Sequence, residues 1–147
     1  MNPTPVTIEP ATWRDAGAIA ALEQACFERD AWGALEIFFS LLAPVVRFKA
    51  VADGRLVGFV IGDPRRREGF SWIATLGVHP AYQRRGIGAR LLAETEARLP
   101  TPLVKLTVRR SNSGAIKLYE KSGYLRVEVW ERYYADGEPG VVMEKRR

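Results

Sequence analysis

Residues 79–92 read HPAYQRRGIGARLL: a proline and two adjacent arginines, then two closely spaced glycines at the start of an amphipathic helical pattern. The chemistry such a stretch can do is anion binding. A helix N-terminus presents up to four unpaired backbone N–H groups and about half a positive charge. Gly86 and Gly88 lack a Cβ and let successive N–H groups converge on one anion, while Arg84 and Arg85 add charge at the rim. The phosphate motifs of fixed spelling do not fit. A P-loop needs Gly-Lys-Ser/Thr where Gly88-Ala89-Arg90 stands, and a dinucleotide fingerprint needs a third glycine at Leu91. For the bare turn, glycine for geometry and arginine for solubility stays an open alternative.

Other side chains with chemical potential are few. Cys26 is the one cysteine, so no internal disulfide forms. Beside Ile19 and Leu22 in a helical pattern, and with no His near it in sequence, it reads as a small buried hydrophobe rather than a nucleophile. His79, Glu128 and Glu131 could each act as a base through water, and each reads equally as a solvated surface residue. Tyr119, at helical spacing from Ala115 and Leu118, is a core aromatic on spacing alone. Arg65, Arg66 and Arg67 have no interleaved aromatics, so DPRRREG reads as a solvated loop and not as a nucleic-acid patch.

The elements that must position these residues follow from the pattern. VTIEP is a short strand, and Thr12-x-x-Asp15 is a capping-box variant opening a helix with Ile19, Leu22 and Cys26 on one face. A second helix, WGALEIFFSLLA, stops ahead of Pro44. Asp53-Gly54 joins two antiparallel strands through a type I′ turn. FSWIATLGV is a strand. Ile87, Leu91, Leu92, Thr95 and Leu99 mark the buried face of a helix that Pro100 to Pro102 break. In the next strand Val104, Leu106 and Val108 alternate with Lys105 and Thr107. A helix over 112–122 ends at Gly123, and YLRVEVWERYY and GVVMEK close the chain as strands around ADGEPG. The order β-α-α-β-β-β-α-β-α-β-β predicts an α+β (mixed α/β) fold, with 70–78, 86–99 and 103–109 forming a β-α-β crossover.

Composition sets the outer bounds. The chain has 147 residues, 47% hydrophobic and 27% charged, which predicts one globular domain over 1–147 with a core at about 6–145. The net charge is +5, but three of the excess positive charges sit in Lys145, Arg146 and Arg147, so global basicity says little about partners. The N-terminus MNPTPVTIEP lacks the features of a signal peptide and no run approaches the ~18 apolar residues of a membrane span, so a soluble cytoplasmic protein with no membrane partner is expected.

With its context, LGVHPAYQRRGIGARLL resembles the acyl-CoA-binding motif of the GNAT superfamily of N-acetyltransferases, here as Gln83-Arg84-Arg85-Gly86-Ile87-Gly88. RRSNSGAIKLYEKSGY is similar to the superfamily's second signature, with Asn112, Ala115, Leu118, Tyr119 and Gly123 in the matching places. The resemblance covers nearly the whole chain. It implies a single-domain GNAT-like fold: a central mixed, mostly antiparallel sheet with splayed strands and about four flanking helices. It also implies that the diphosphate of coenzyme A lies on the main chain from Arg84 to Ala89, and that Leu76 and Gly77 run along the pantetheine arm. By the same resemblance the Val78 N–H serves the thioester oxygen, Asn112 holds the cofactor arm, and Tyr119 protonates the departing thiolate. Acetyl-CoA is then a co-substrate and no metal is required.

FERDAWGALEIF, LTVRRSN and RYYADGEPGVVM look most like the ribosomal-protein alanine N-terminal acetyltransferase branch, in which Tyr133 and Tyr134 would line the acceptor groove. That branch carries a general-base glutamate where this chain has Thr107. A site without a strong base suits an α-amine, ~10% neutral at pH 7, over a lysine, neutral only about once in ~2,500 molecules. A peptide N-terminus is therefore the favoured acceptor. A small amine (polyamine, antibiotic or amino acid) and a non-catalytic acyl-CoA-binding module remain the alternatives. A homodimer stays open, and no nucleic acid is expected.

Overall fold

The computed structural model describes residues 5–27 and 33–147. Residues 28–32, which include Trp32 and part of FERDAWGALEIF, lie outside the described residues. The elements are β1 (Thr7–Pro10), α1 (Ala16–Cys26), α2 (Ala34–Leu42), β2 (Val46–Ala52), β3 (Arg55–Arg65) and β4 (Phe70–Val78). They continue with α3 (Ile87–Arg98), β5 (Leu103–Arg109), α4 (Ser113–Lys121), β6 (Leu125–Trp130) and β7 (Gly140–Arg146). The strands form one sheet in the order β1-β2-β3-β4-β5-β7-β6. Its ladders are antiparallel between β1 and β2, β2 and β3, β5 and β7, and β6 and β7, and parallel between β4 and β5. The mixed sheet with four α-helices is the fold class that the element order predicts.

The chain packs as two compact units. One comprises the residues up to Asp63 together with Ala74–Leu99, the other Pro64–Ile73 and Pro100–Arg147. In the first, the Thr12 capping box forms as predicted, with the Thr12 amide donating to Asp15 Oδ2 at 2.8 Å, but the turn it opens is a single 3-10 turn that precedes α1. Ile19 and Leu22 of α1, Ile37 and Leu41 of α2 and Phe59 of β3 form a buried apolar cluster. The other face of β3 carries glycines. A Cβ on Gly62 would meet Thr95 Cγ2 at 2.8 Å and one on Gly58 would meet Leu91 Cδ1 at 3.1 Å, so α3 lies almost on the β3 main chain. Asp53 and Gly54 have φ of 53° and 69°, as the type I′ turn between β2 and β3 requires.

In the second unit β4 and β5 pair over Phe70–Trp72 and Leu103–Lys105, and β5 pairs with β7 along its whole length. Val104, Leu106 and Val108 are buried while Lys105 and Thr107 are half-buried, as their alternation predicts. Gly123, at φ 99°, ends α4. The expected strand through Tyr134 is shorter than predicted. β6 stops at Trp130 because Arg132, at φ 52°, leaves extended backbone, and Tyr133 and Tyr134 therefore belong to the turn before β7.

Candidate active site

The turn ahead of α3 has the conformation that anion binding asks for. Arg84 (φ 64°) and Gly86 (φ 77°) are both left-handed, and alternating handedness points successive amides to one side. The first helical hydrogen bond runs from the Arg90 amide to the Gly86 carbonyl, and no side chain caps the helix. Among the described residues the amides of Ile87, Gly88 and Ala89 meet no acceptor. Beyond its chain neighbours, a Cβ on Gly86 would meet no atom of a described residue within 4 Å. Packing therefore does not demand glycine at this position, whereas its left-handed φ does. Arg84 and Arg85 are exposed, the latter 5.2 Å from the Tyr82 ring, so charge stands at the rim.

The end of β4 is fixed from two sides. The Val78 carbonyl accepts from Gln83 Nε2 at 3.0 Å and from the Cys26 thiol at 3.3 Å, and the His79 amide donates to the Val57 carbonyl at 2.8 Å. Gly77 has no room for a side chain, since a Cβ would meet Phe59 Cε1 at 3.0 Å, Phe27 Cε2 at 3.3 Å and Cys26 Sγ at 3.4 Å. Cys26 is thus a strand clamp as well as a filler. Burial, with the charge of Glu23, pushes its thiol up to about 11, which keeps it protonated and non-nucleophilic at neutral pH. His79 caps a 3-10 turn, its Nδ1 accepting from the Ala81 amide at 3.1 Å.

Sequence reasoning missed Glu23, a carboxylate only 1% exposed whose Oε1 accepts from Thr75 Oγ1 of β4 at 2.8 Å. A glutamate in an alanine-rich helix gives no local sign that it will be buried against a strand 52 residues away. Glu23→Ala is expected to cost about 2 kcal/mol in urea unfolding and Glu23→Gln well under half of that, because the amide oxygen still accepts. Equal losses would contradict the hydrogen-bond reading.

In the second unit Asn112 is exposed and caps α4, its Oδ1 accepting from the Ala115 amide at 3.1 Å. Tyr119 is buried, 6.0 Å edge-on from Tyr124. Burial pushes the phenol up to about 12. Thr107 Oγ1 is the one buried side-chain polar atom without a partner among the described residues. Beneath it, a Cβ on Gly140 would strike Thr107 Cγ2 at 2.8 Å and Tyr133 Cδ1 at 2.9 Å, so the missing side chain admits the Tyr133 ring beside the threonine. Tyr134 lies under the Arg109 guanidinium, which also binds Asp136 and Glu138 at 2.9 and 2.8 Å. Glu128 and Glu131 are exposed.

A free helix N-terminus behind a left-handed glycine, following a strand whose end is pinned, is the arrangement on which the sequence resemblance rests. The acetyltransferase (GNAT) family model matches residues 18–124. The chain belongs to this family. The N-alpha-acetyltransferase RimI of Mycobacterium tuberculosis is 39% identical over 134 residues, which cover 88% of this chain and 85% of that protein. The catalytic subunit NAA10 of the N-terminal acetyltransferase A complex of Arabidopsis thaliana is 30% identical over 95% of this chain and 77% of its own length. Among solved structures, the ribosomal-protein-S18-alanine N-acetyltransferase of Escherichia coli superposes with a TM-score of 0.84 at 27% identity, covering 97% of this chain and 94% of that one. The protein is therefore an N-acetyltransferase of GNAT fold.

Proposed function

We propose that this protein moves an acetyl group from acetyl-CoA directly to the α-amine at the N-terminus of a protein or peptide, with the coenzyme's diphosphate seated on the main chain from Arg84 to Ala89. The observation that carries this reading is the left-handed Gly86 ahead of α3, with three following amides that meet no acceptor among the described residues. The acceptor class is supported by two of the relatives, one named an N-alpha-acetyltransferase and the other the catalytic subunit of an N-terminal acetyltransferase complex.

Acetyl-CoA supplies an activated thioester, and the residues of this chain orient it and manage charge. The Val78 amide donates to the thioester oxygen as it gains negative charge, and the clamps on the Val78 carbonyl keep that amide aimed. Leu76 and Gly77 offer main chain to the pantetheine arm. Asn112 spends its oxygen on the α4 cap, which leaves its NH2 group for the same arm. Tyr119 gives its proton to the departing sulfur as the carbon–sulfur bond breaks, and the proton that the amine sheds on acylation leaves through water, from which the tyrosinate is reprotonated. Support for that role is a phenol that burial holds neutral.

No carboxylate of the Arg109 cluster suits the base. Ser111 and Arg109 draw Glu138 down to about 2, and the Asp136 carboxylate pairs with the same guanidinium. With Thr107 in place of a glutamate, the amine must arrive neutral, and the unpartnered Thr107 hydroxyl is free to accept from it. The rate should then follow the amine's own ionisation. For a peptide with a free N-terminus kcat/KM is expected to rise about tenfold per pH unit and level off near pH ~8. Tyr119 at about 12 contributes no falling limb below pH 10. Release of free thiol from acetyl-CoA, followed with free and blocked peptides, lysine side chains and polyamines, tests the reading. Turnover confined to peptides with a free α-amine is the expected result. Turnover only with small amines, or tight acetyl-CoA binding without turnover, would overturn it.

A further inference from the structure

β6 is the last strand of the sheet, bonded to β7 on one side only. Edge strands of soluble proteins are ordinarily blunted by charge, by proline or by their brevity. This one is short and carries Arg126 and Glu128, and it also exposes Leu125 (72%), Val127 (50%) and Val129 (46%). Its ladder with β7 shifts register between Arg126 and Glu128, so Val127 has no register partner on β7.

The residues Tyr124-Leu125-Arg126-Val127-Glu128-Val129-Trp130 also have an unusual symmetry. Read backwards, apolar residues replace apolar ones and an acid replaces the base. When two such strands run antiparallel about a twofold axis at Val127, Val127 meets Val127, Leu125 meets Val129, and Arg126 meets Glu128, the last two pairs occurring twice. Parallel strands, or a register slipped by two residues, place like charges or an unpaired charge opposite each other. Glu128 has no ion pair among the described residues, and Arg126 has only an exposed one with Glu120 at 3.4 Å, which can be exchanged at little cost. Arg110 and Glu131 line the groove beside the strand and add a charge of each sign.

We propose that two copies of this chain associate through β6, antiparallel about Val127, with the apolar residues covering one another and Arg126 paired to Glu128 across the axis. A bulge shortens the free main chain of an edge, so the contact rests on these side chains rather than on a long new ladder.

Sedimentation velocity of the full chain over a range of concentrations tests this directly. The expected species at high concentration has twice the 16.5 kDa mass of the chain and dissociates on dilution. Val127→Asp, Arg126→Glu and Glu128→Arg should each weaken the dimer at least about tenfold. The double variant Arg126→Glu/Glu128→Arg, which restores opposite charges, should regain most of that loss. All three positions are exposed, and circular dichroism checks that the variants are folded. A wild-type chain that stays monomeric throughout, or a dimer indifferent to the single reversals, or no recovery in the double variant, would each overturn the proposal. None of these outcomes depends on acetyl transfer, so the test is separate from that of the proposed function.

Discussion

Gly86→Val is expected to weaken coenzyme A binding by about 10²- to 10³-fold while leaving the fold intact. The two effects separate because a Cβ at Gly86 meets no described residue within 4 Å apart from its chain neighbours. Folding loses only the strain of a β-branched residue at φ 77°, about 1–2 kcal/mol. The ligand loses more. Each hydrogen bond from an amide to a charged oxygen is worth about 1.5–3 kcal/mol, and displacing the diphosphate from two of them amounts to roughly 3–6 kcal/mol, of which about 3–4 corresponds to the expected loss of affinity. Gly86→Ala should give a smaller loss of the same kind. Arg84→Ala and Arg85→Ala, which remove exposed charges and no amide, should cost less and fade as salt is raised. Calorimetric titration with coenzyme A reads all four, and an unchanged affinity in Gly86→Val would contradict the seat assigned to the diphosphate.

The second large effect is on the rate. Tyr119→Phe is expected to lower kcat by about 10²-fold or more with little change in KM, the pattern of a group that acts only as the thiolate departs. The same substitution should cost under about 1 kcal/mol of stability, because it removes one hydroxyl and keeps the ring that packs against Tyr124. That separation matters for a residue buried in α4 against Tyr124. A purely structural tyrosine would lose stability and leave kcat alone. A normal kcat in Tyr119→Phe would remove it as the acid and leave its role to water or another donor.

What the sequence revealed, and what it hid, follows the range of the interactions. Asp53-Gly54, the Thr12 capping box, the alternation of Val104, Leu106 and Val108 and the stop at Gly123 are local, and each forms where the spacing indicates. The glycine turn was legible for the same reason, since a helix start and its flanking strand are neighbours in the chain. The clamp on Val78 was half legible: Gln83 is five residues away, but Cys26 is 52 away and reads only as a small apolar residue. Glu23 was hidden because burial of a carboxylate is decided by a distant strand. Tyr133 and Tyr134 look like strand residues until Arg132 turns the backbone, a conformation that arginine seldom adopts and that no periodicity announces. Thr107 was noticed only as a departure from a resemblance, and the isolation of its hydroxyl is a property of packing on Gly140 and Tyr133.

The central claim, that main-chain amides behind Gly86 hold the diphosphate, is tested most directly by comparing acetyl-CoA with acetyl-pantetheine, which carries the same thioester and no diphosphate. The wild-type enzyme should favour acetyl-CoA in kcat/KM by at least about 10³-fold, and in Gly86→Val that preference should shrink about a hundredfold. Turnover of acetyl-pantetheine should be the same in both proteins. An undiminished preference for acetyl-CoA in the variant, or an equal loss with both donors, would contradict the account.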